Sequence, residues 1–235
     1  MLSPAARYRA ALLLLAPALL ALPAPALADD ITTIAIEVIA ESPSGAPGGE
    51  RFVAENSFDP DGLPSIAAYG PFRVLDPTRA ALVDATDSAS PRDFARLLKA
   101  YPQVRVLEMI ECPGTSDDTA NLRLGRMIHR AGIATEVPAG GSVRSGAVEL
   151  FLAGARRSAA PSAEFAVHSW RDADGLEARD FPASDPVNQA YLAYYREMGL
   201  SPAQAQAFYA MTNAVPHDDA RWLNPGELAA YAPLD

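Results

Sequence analysis

The stretch "PAGGSVRSGAVELFLAGARRSAAPSAEFAVHSW" (138–170) places Ser145 between a glycine-rich turn and an apolar segment, and ends a short strand pattern at His168. A serine is a weak nucleophile until a neighbouring base takes its proton, and attack on a carbonyl needs N–H groups directed at the developing oxyanion. Glycines and the start of a helix can supply such groups. Two interpretations follow: Ser145 and His168 are a nucleophile and its base, or Ser145 caps a helix and His168 packs in the core.

Local spacing does not choose between these two interpretations. The G-x-S-x-G nucleophile elbow is absent, because Val143 occupies the place of its first glycine, and Ser142 fits that pattern no better. The choice therefore depends on how the segments around Ser145 are ordered along the chain.

Strand and helix patterns alternate along most of the chain. Strands are predicted at 72–76, 80–85, 104–110, 133–137 and 163–169, and helices from Ser90 as N-cap, at 119–132, 146–157, 186–199 and 201–213, and near Pro225. Alternation of this kind predicts an α/β fold with a mostly parallel sheet, built from βαβ units and flanked by helices.

The N-terminal region has a different character. Arg7 and Arg9 precede an apolar run over 10–22 and an A-x-A site at 26–28, which predicts a signal peptide over 1–28 and export to the periplasm. A strand is predicted at 31–40, and the Gly- and Pro-rich segment up to residue 70 is predicted to be a long loop. The folded domain is then expected over 71–235.

Composition excludes several classes of partner. The chain has a net charge of −10 and no basic cluster, so neither nucleic acid nor an anionic membrane surface is an expected partner, and no second apolar run could span a membrane. Cys112 is the only cysteine; it is expected to be a buried small hydrophobe, with intermolecular pairing as the alternative. His129, His168 and His217 lack metal-ligand spacing, so neither a metal nor a cofactor is predicted.

The order of the segments resembles the ClpP/crotonase-like superfamily, and more closely its exported, periplasmic Clp-protease-like branch. The resemblance rests on a strand, the turn "CPGT" (112–115), a helix, the T-x-V strand, the Gly-Ser turn, "FLAGARR" (151–157) and "AVHSW" (166–170). It covers roughly residues 72–235 and is most specific over 133–170. The fold it implies has repeated ββα units.

The resemblance also implies roles for individual residues. Ser145 matches the family nucleophile and His168 the family base, whereas Gly146 and the turn at Gly114 and Thr115 would donate the oxyanion-hole N–H groups. A homo-oligomer is also implied, because the superfamily assembles through trimers or larger rings.

The third member of the implied triad is a carboxylate just before the last helix. Here "HDDARWLNPGEL" (217–228) offers Asp219, which we favour, and Asp218 as second choice. Its role would be to hold the imidazole tautomer and stabilise the imidazolium.

Three features depart from the family pattern. Thr115 replaces the second glycine of S-P-G-G, "SVRSGA" (142–147) lacks both cysteines of C-x-S-A-C, and the carboxylate is displaced by about one residue.

Three functions remain open. The leading interpretation is a periplasmic serine hydrolase, a peptidase, that cleaves a peptide or small acyl substrate through an acyl-enzyme. The alternative is a non-catalytic module that binds a peptide or partner in the same groove. Acyl-CoA chemistry is a third interpretation, disfavoured because CoA is not expected in the periplasm and no basic patch would hold its phosphates.

Overall fold

The structure of the protein, a computed structural model, describes residues 62–235, Asp59 and the backbone of Arg51–Phe52. The predicted signal peptide, the strand predicted at 31–40 and most of the Gly- and Pro-rich segment lie outside these residues.

Short strands and six helices make up the described part of the chain. The strands are β1 (Arg51–Phe52), β2 (Ala67–Tyr69), β3 (Phe72–Asp76), β4 (Arg79–Leu82), β5 (Val106–Met109), β6 (Glu111–Cys112), β7 (Gly114–Thr115), β8 (Ala134–Val137), β9 (Ser142–Arg144), β10 (Arg157–Ala159), β11 (Glu164–Val167) and β12 (Arg221–Leu223). The helices are α1 (Ser90–Ala100), α2 (Asp118–Arg130), α3 (Ala147–Leu152), α4 (Pro186–Glu197), α5 (Pro202–Asn213) and α6 (Pro225–Ala229).

The strands form two principal sheets. The larger has the order β10-β8-β5-β4-β3-β2, in which β10, β8, β5 and β4 are parallel and the β4-β3-β2 end is antiparallel. The smaller has the order β12-β11-β9-β6, with β6, β9 and β11 parallel and β12 antiparallel to β11. A separate antiparallel pair joins β1 to β7. The α/β class with mostly parallel strands flanked by helices is therefore as predicted.

Helix α4 packs against both α2 and α3. The Tyr194 hydroxyl donates to the Glu149 carbonyl on α3 over 2.7 Å, and a Cβ at Gly125 of α2 would overlap that same hydroxyl. Burial raises the pKa of Tyr194 well above its usual range, so the hydroxyl stays a neutral donor. Tyr191 and Tyr195 on the same helix are also buried, so the tyrosines of α4 are part of the core.

The structure differs from the sequence-based expectation mainly in short elements. Strands β6 and β7 lie in and next to the segment 112–115 that was expected to be a turn, and the Gly-rich turn contains β9. Strands β2, β10 and β12 were not predicted. Helix α1 begins at Ser90 as an intrahelical residue, because Ala89 is the N-cap and the Ser90 hydroxyl bonds the Asp87 carboxylate instead.

Helix α3 is shorter than the predicted segment 146–157. It ends at Leu152, where the Thr135 hydroxyl donates to the Phe151 carbonyl over 2.7 Å and so satisfies one of the last carbonyls. A Cβ at Gly154 would overlap the Thr135 hydroxyl, so the glycine permits this close approach. Because the helix ends here, the following residues can form β10.

Over the described residues, every helix is too short or too polar to cross a bilayer.

Candidate active site

Strands β9 and β11 bring Ser145 and His168 to one edge of the smaller sheet. The strands are parallel with Arg144 opposite Ala166, and the Ser145 amide donates to the Ala166 carbonyl over 2.8 Å. His168 follows directly after β11, so both residues leave their strands at the carboxyl end. Neighbouring strands lie about 4.8 Å apart. The two residues singled out by sequence are therefore neighbours, although 23 positions separate them in the chain.

Ser145 has an unusual backbone conformation. Its φ is 52°, and within the described residues it is the only non-glycine residue with a positive φ. For an L-residue this conformation costs about 1–2 kcal/mol. Strain of this kind clusters at active sites and switch regions, where the surrounding structure enforces it.

The Ser145 side chain does not cap α3. The N-cap is Gly146, no side-chain cap bond is formed, and the buried Oγ of Ser145 has no hydrogen-bond partner among the described residues. The capping interpretation of Ser145 is therefore wrong. A buried hydroxyl without a partner carries a desolvation cost of about 1–3 kcal/mol and calls for an explanation.

His168 is fully buried, and its Nδ1 lies 2.9 Å from the carbonyl oxygen of Ser169. A carbonyl oxygen only accepts hydrogen bonds, so Nδ1 carries the hydrogen in this contact. The neutral ring then presents Nε2 as its acceptor, which is the tautomer a general base needs.

The turn predicted to form the oxyanion hole lies beside Gly146. Gly114 has a φ of 139°, which favours glycine, whereas Thr115 has no positive φ, so replacing the family's second glycine causes no backbone strain. The Thr86 amide donates to the Gly114 carbonyl and the Ser116 amide to the Thr86 carbonyl. Strand alternation then turns the Thr115 N–H to the opposite edge of β7, where β1 pairs with Arg51 opposite Thr115.

Thr115 and Gly146 pack closely against each other. A Cβ added at Gly146 would lie 2.5 Å from Cγ2 of Thr115, so the threonine methyl occupies the space that an alanine at position 146 would need. The size of one residue therefore limits the size of the other.

A set of buried side-chain hydrogen bonds, which sequence reasoning missed, holds this turn in place. Asn121 donates through Nδ2 to the Gly146 carbonyl over 2.6 Å and accepts from the Thr86 hydroxyl over 2.9 Å. The available signal was a polar residue on the apolar face of α2, where Leu124 and Ile128 follow at helical spacing.

The two aspartates proposed as third triad member lie on the surface. Asp218 accepts from Arg171 over 2.7 Å and its side chain is 79% exposed, and the exposed Asp219 accepts from the amide of its neighbour Ala220. His168 Nδ1 lies 2.9 Å from the carbonyl oxygen of Ser169. The assignment of Asp219 as third member stays a prediction.

Cys112 does not compete with Ser145 as a nucleophile. It is fully buried, as predicted, and burial raises the pKa of its thiol well above the usual range, so the reactive thiolate is not formed. Among the described residues, no three His, Cys, Asp or Glu side chains group closely enough to hold a metal ion.

The candidate site is closed in this conformation. Ser145, His168 and Thr115 are all 0% exposed. Because β1 pairs along β7, the chain's own N-terminal segment lies on the edge to which the Thr115 N–H is directed.

We expect Ser145→Ala and Ser145→Gly to increase the free energy of unfolding by about 1 kcal/mol, because both remove the unpartnered hydroxyl and glycine also relieves the positive φ. Urea unfolding measures this change. The control is Ser142→Ala, which should be destabilising, because the Ser142 hydroxyl bonds Glu164 and Arg144. A Ser145→Ala variant less stable than the wild type would contradict the prediction.

We expect Gly146→Ala to lower the free energy of unfolding by about 1–3 kcal/mol through overpacking against Thr115. Adding Thr115→Ser, which deletes the contacting methyl and keeps the hydroxyl, should recover at least half of the loss. Thr135→Ser, which deletes a buried methyl next to Gly154, should recover none. Additive effects of Gly146→Ala and Thr115→Ser would show that the two positions are not coupled.

Comparisons with known proteins give matches in structure only. No protein-family model matches the sequence, and no curated protein matches it. A 1510-N membrane protease specific for a stomatin homolog from Pyrococcus horikoshii matches at 14% identity over 67% of this chain and 70% of that one, with a TM-score of 0.44. A ClpP1 variant from Listeria monocytogenes matches at 16% identity over 68% of this chain and 90% of that one, with a TM-score of 0.47.

Proposed function

We propose that the protein is an exported serine hydrolase that cleaves peptides, with Ser145 as nucleophile and His168 as general base. The observation that carries this proposal is the buried, unpartnered Ser145 hydroxyl, held in a strained turn at the same sheet edge as His168. Neither capping nor packing explains that arrangement.

The chemistry follows from the positions of these groups. The Ser145 Oγ attacks the substrate carbonyl carbon while its proton passes to Nε2 of His168, and the carbonyl π electrons move to the oxygen. The N–H groups of Gly146 and Thr115 stabilise that oxyanion. Collapse of the intermediate breaks the bond to the leaving amine, which takes the proton from His168. Water then cleaves the acyl-enzyme by the same proton transfers.

A peptide is the substrate class that the edge of β7 favours. This edge already accepts an extended segment, since β1 pairs with it antiparallel, with Phe52 opposite Gly114. A peptide that replaced β1 would gain the same main-chain hydrogen bonds, and its own carbonyl would lie next to the Thr115 N–H. The closed site is then a resting state in which β1 occupies the place of the substrate.

Location and assembly belong to this proposal as well. The features of residues 1–28 favour export to the periplasm, and the family resemblance favours a homo-oligomer. A single buried cysteine is compatible with an oxidising compartment, since it can form no internal disulfide.

A non-catalytic binding module is the second candidate, and the complete burial of Ser145 and His168 favours it. In that case β7 would bind a peptide strand without cleaving it.

We expect a fluorophosphonate probe to label the wild type at Ser145, and His168→Asn to slow labelling by about 10³-fold or more. Asparagine keeps an N–H at the position of Nδ1 and deletes Nε2, so it removes the base with little change in shape. Mass spectrometry of the labelled peptide identifies the site, and stopped-time labelling gives the rate.

The matched control is His129→Asn. The Nδ1 of His129 also contacts a carbonyl oxygen, that of Ala153, over 3.1 Å, but His129 has no role in the proposed mechanism. This variant should label at the wild-type rate. A wild type that resists labelling, or one labelled at a serine other than Ser145, would leave the binding module as the better candidate.

We expect the double variant Arg51→Pro/Phe52→Pro to label several-fold faster than the wild type, because proline lacks the N–H needed to pair with β7. The double alanine variant at the same positions keeps both N–H groups and serves as control. Labelling at equal rates in the two variants would show that β1 does not limit access to Ser145.

A further inference from the structure

A second histidine packs directly against the proposed base. The ring centroids of His168 and His217 are 4.7 Å apart with an interplanar angle of 86°, an edge-to-face contact. His217 lies in the segment between α5 and β12 and is only 8% exposed. A buried, polar ring in this position restricts how the imidazole of His168 can turn.

The two rings share one hydrogen-bond acceptor. Nδ1 of His168 lies 2.9 Å and Nδ1 of His217 lies 3.0 Å from the carbonyl oxygen of Ser169. A carbonyl oxygen has two lone pairs and no hydrogen, so each Nδ1 donates to it. The shared acceptor therefore places a hydrogen on Nδ1 of each ring, so that the neutral form of each ring is the Nδ1–H tautomer.

The segment that carries His217 is anchored to the end of β11. The Ser169 amide donates to the Val215 carbonyl over 2.8 Å, and the His217 amide donates to the Glu177 carboxylate over 3.2 Å. The Ser169 hydroxyl in turn accepts from the Ala178 amide over 3.3 Å. These bonds fix the backbone of Ser169 and of His217, and so hold the shared acceptor and the second ring in place.

We propose that His217, together with the Ser169 carbonyl, performs the positioning role that the family pattern gives to a carboxylate. His217 orders the acceptor that sets the tautomer of His168, and its edge-to-face contact restrains the plane of the imidazole. When His168 takes the serine proton, the Ser169 carbonyl accepts from the Nδ1–H of the imidazolium, and His217 itself transfers no proton. This inference rests on the proposed hydrolase function for its catalytic consequence, but its geometry stands without it.

Three substitutions at position 217 test the role through the rate of fluorophosphonate labelling at Ser145. His217→Asn keeps an N–H at the Nδ1 position, His217→Gln moves the amide to the Nε2 position, and His217→Leu removes every donor. We expect the maximal labelling rate to fall about 10- to 100-fold in His217→Leu and His217→Gln, with unchanged probe affinity, and to stay within about threefold in His217→Asn. A purely structural role would not follow the position of the N–H.

Asp219→Asn is the competing variant, because the resemblance assigns the third role to this carboxylate. We expect it to label at least about tenfold faster than His217→Leu. The inference is overturned if His217→Gln labels like the wild type, if His217→Asn is as slow as His217→Gln, or if Asp219→Asn is the slowest variant. Thermal unfolding of each variant shows whether slow labelling is caused by loss of the fold. If His217→Leu does not fold, His217→Gln provides the same test.

Long-range ¹H–¹⁵N NMR of ¹⁵N-histidine-labelled protein provides a test that needs no activity. The neutral rings of His168 and His217 should both show the Nδ1–H tautomer, and His217→Leu should lead to mixed tautomers at His168. An Nε2–H tautomer of His168 in the wild type overturns the inference. Absence of labelling together with the expected tautomers would refute the hydrolase function and leave the paired geometry intact.

Discussion

The parallel pairing of β9 with β11 is the constraint on which the candidate site depends. A one-residue slip between the two strands would turn either Ser145 or His168 to the opposite face. A buried polar network opposes such a slip: Arg144 on β9 forms an ion pair with Glu111 on β6 and donates to the Ser142 hydroxyl, which in turn donates to Glu164 on β11. Because the network joins three strands, a change of register would break its bonds.

The groups proposed to react are locally destabilising, and their neighbours compensate. Ser145 combines a strained backbone with a buried, unpartnered hydroxyl. Its surroundings are closely packed: the methyl of Thr115 fills the space next to Gly146, and Asn121 donates a hydrogen bond to the Gly146 carbonyl. A rigid surrounding of this kind can hold a conformation that the serine would not adopt by itself. The region combines local strain with tight packing, as expected where reactivity is selected over stability.

Sequence reasoning located the long elements and the two residues that follow β9 and β11, because periodicity and motif order are properties of the chain itself. It missed β6, β7 and β12, whose two or three residues carry no periodic signal and exist only because a partner strand lies beside them. The sequence offered Asp219 and Asp218 as third member, and that assignment stays a prediction. The buried position of the neighbouring His217 was not foreseen, because it depends on the bonds of the loop to Ser169 and Glu177. Those contacts are tertiary and leave no pattern in the sequence.

A closed site is compatible with catalysis because few main-chain bonds hold β1 against β7. The ladder between them contains two residue pairs, Arg51 opposite Thr115 and Phe52 opposite Gly114, and a main-chain hydrogen bond adds only about 0.5–1.5 kcal/mol net. An extended peptide that makes the same bonds and also fills side-chain pockets would displace such a pairing with little loss. The weakness of this two-pair ladder is therefore the physical reason to regard β1 as a replaceable occupant of the substrate's place.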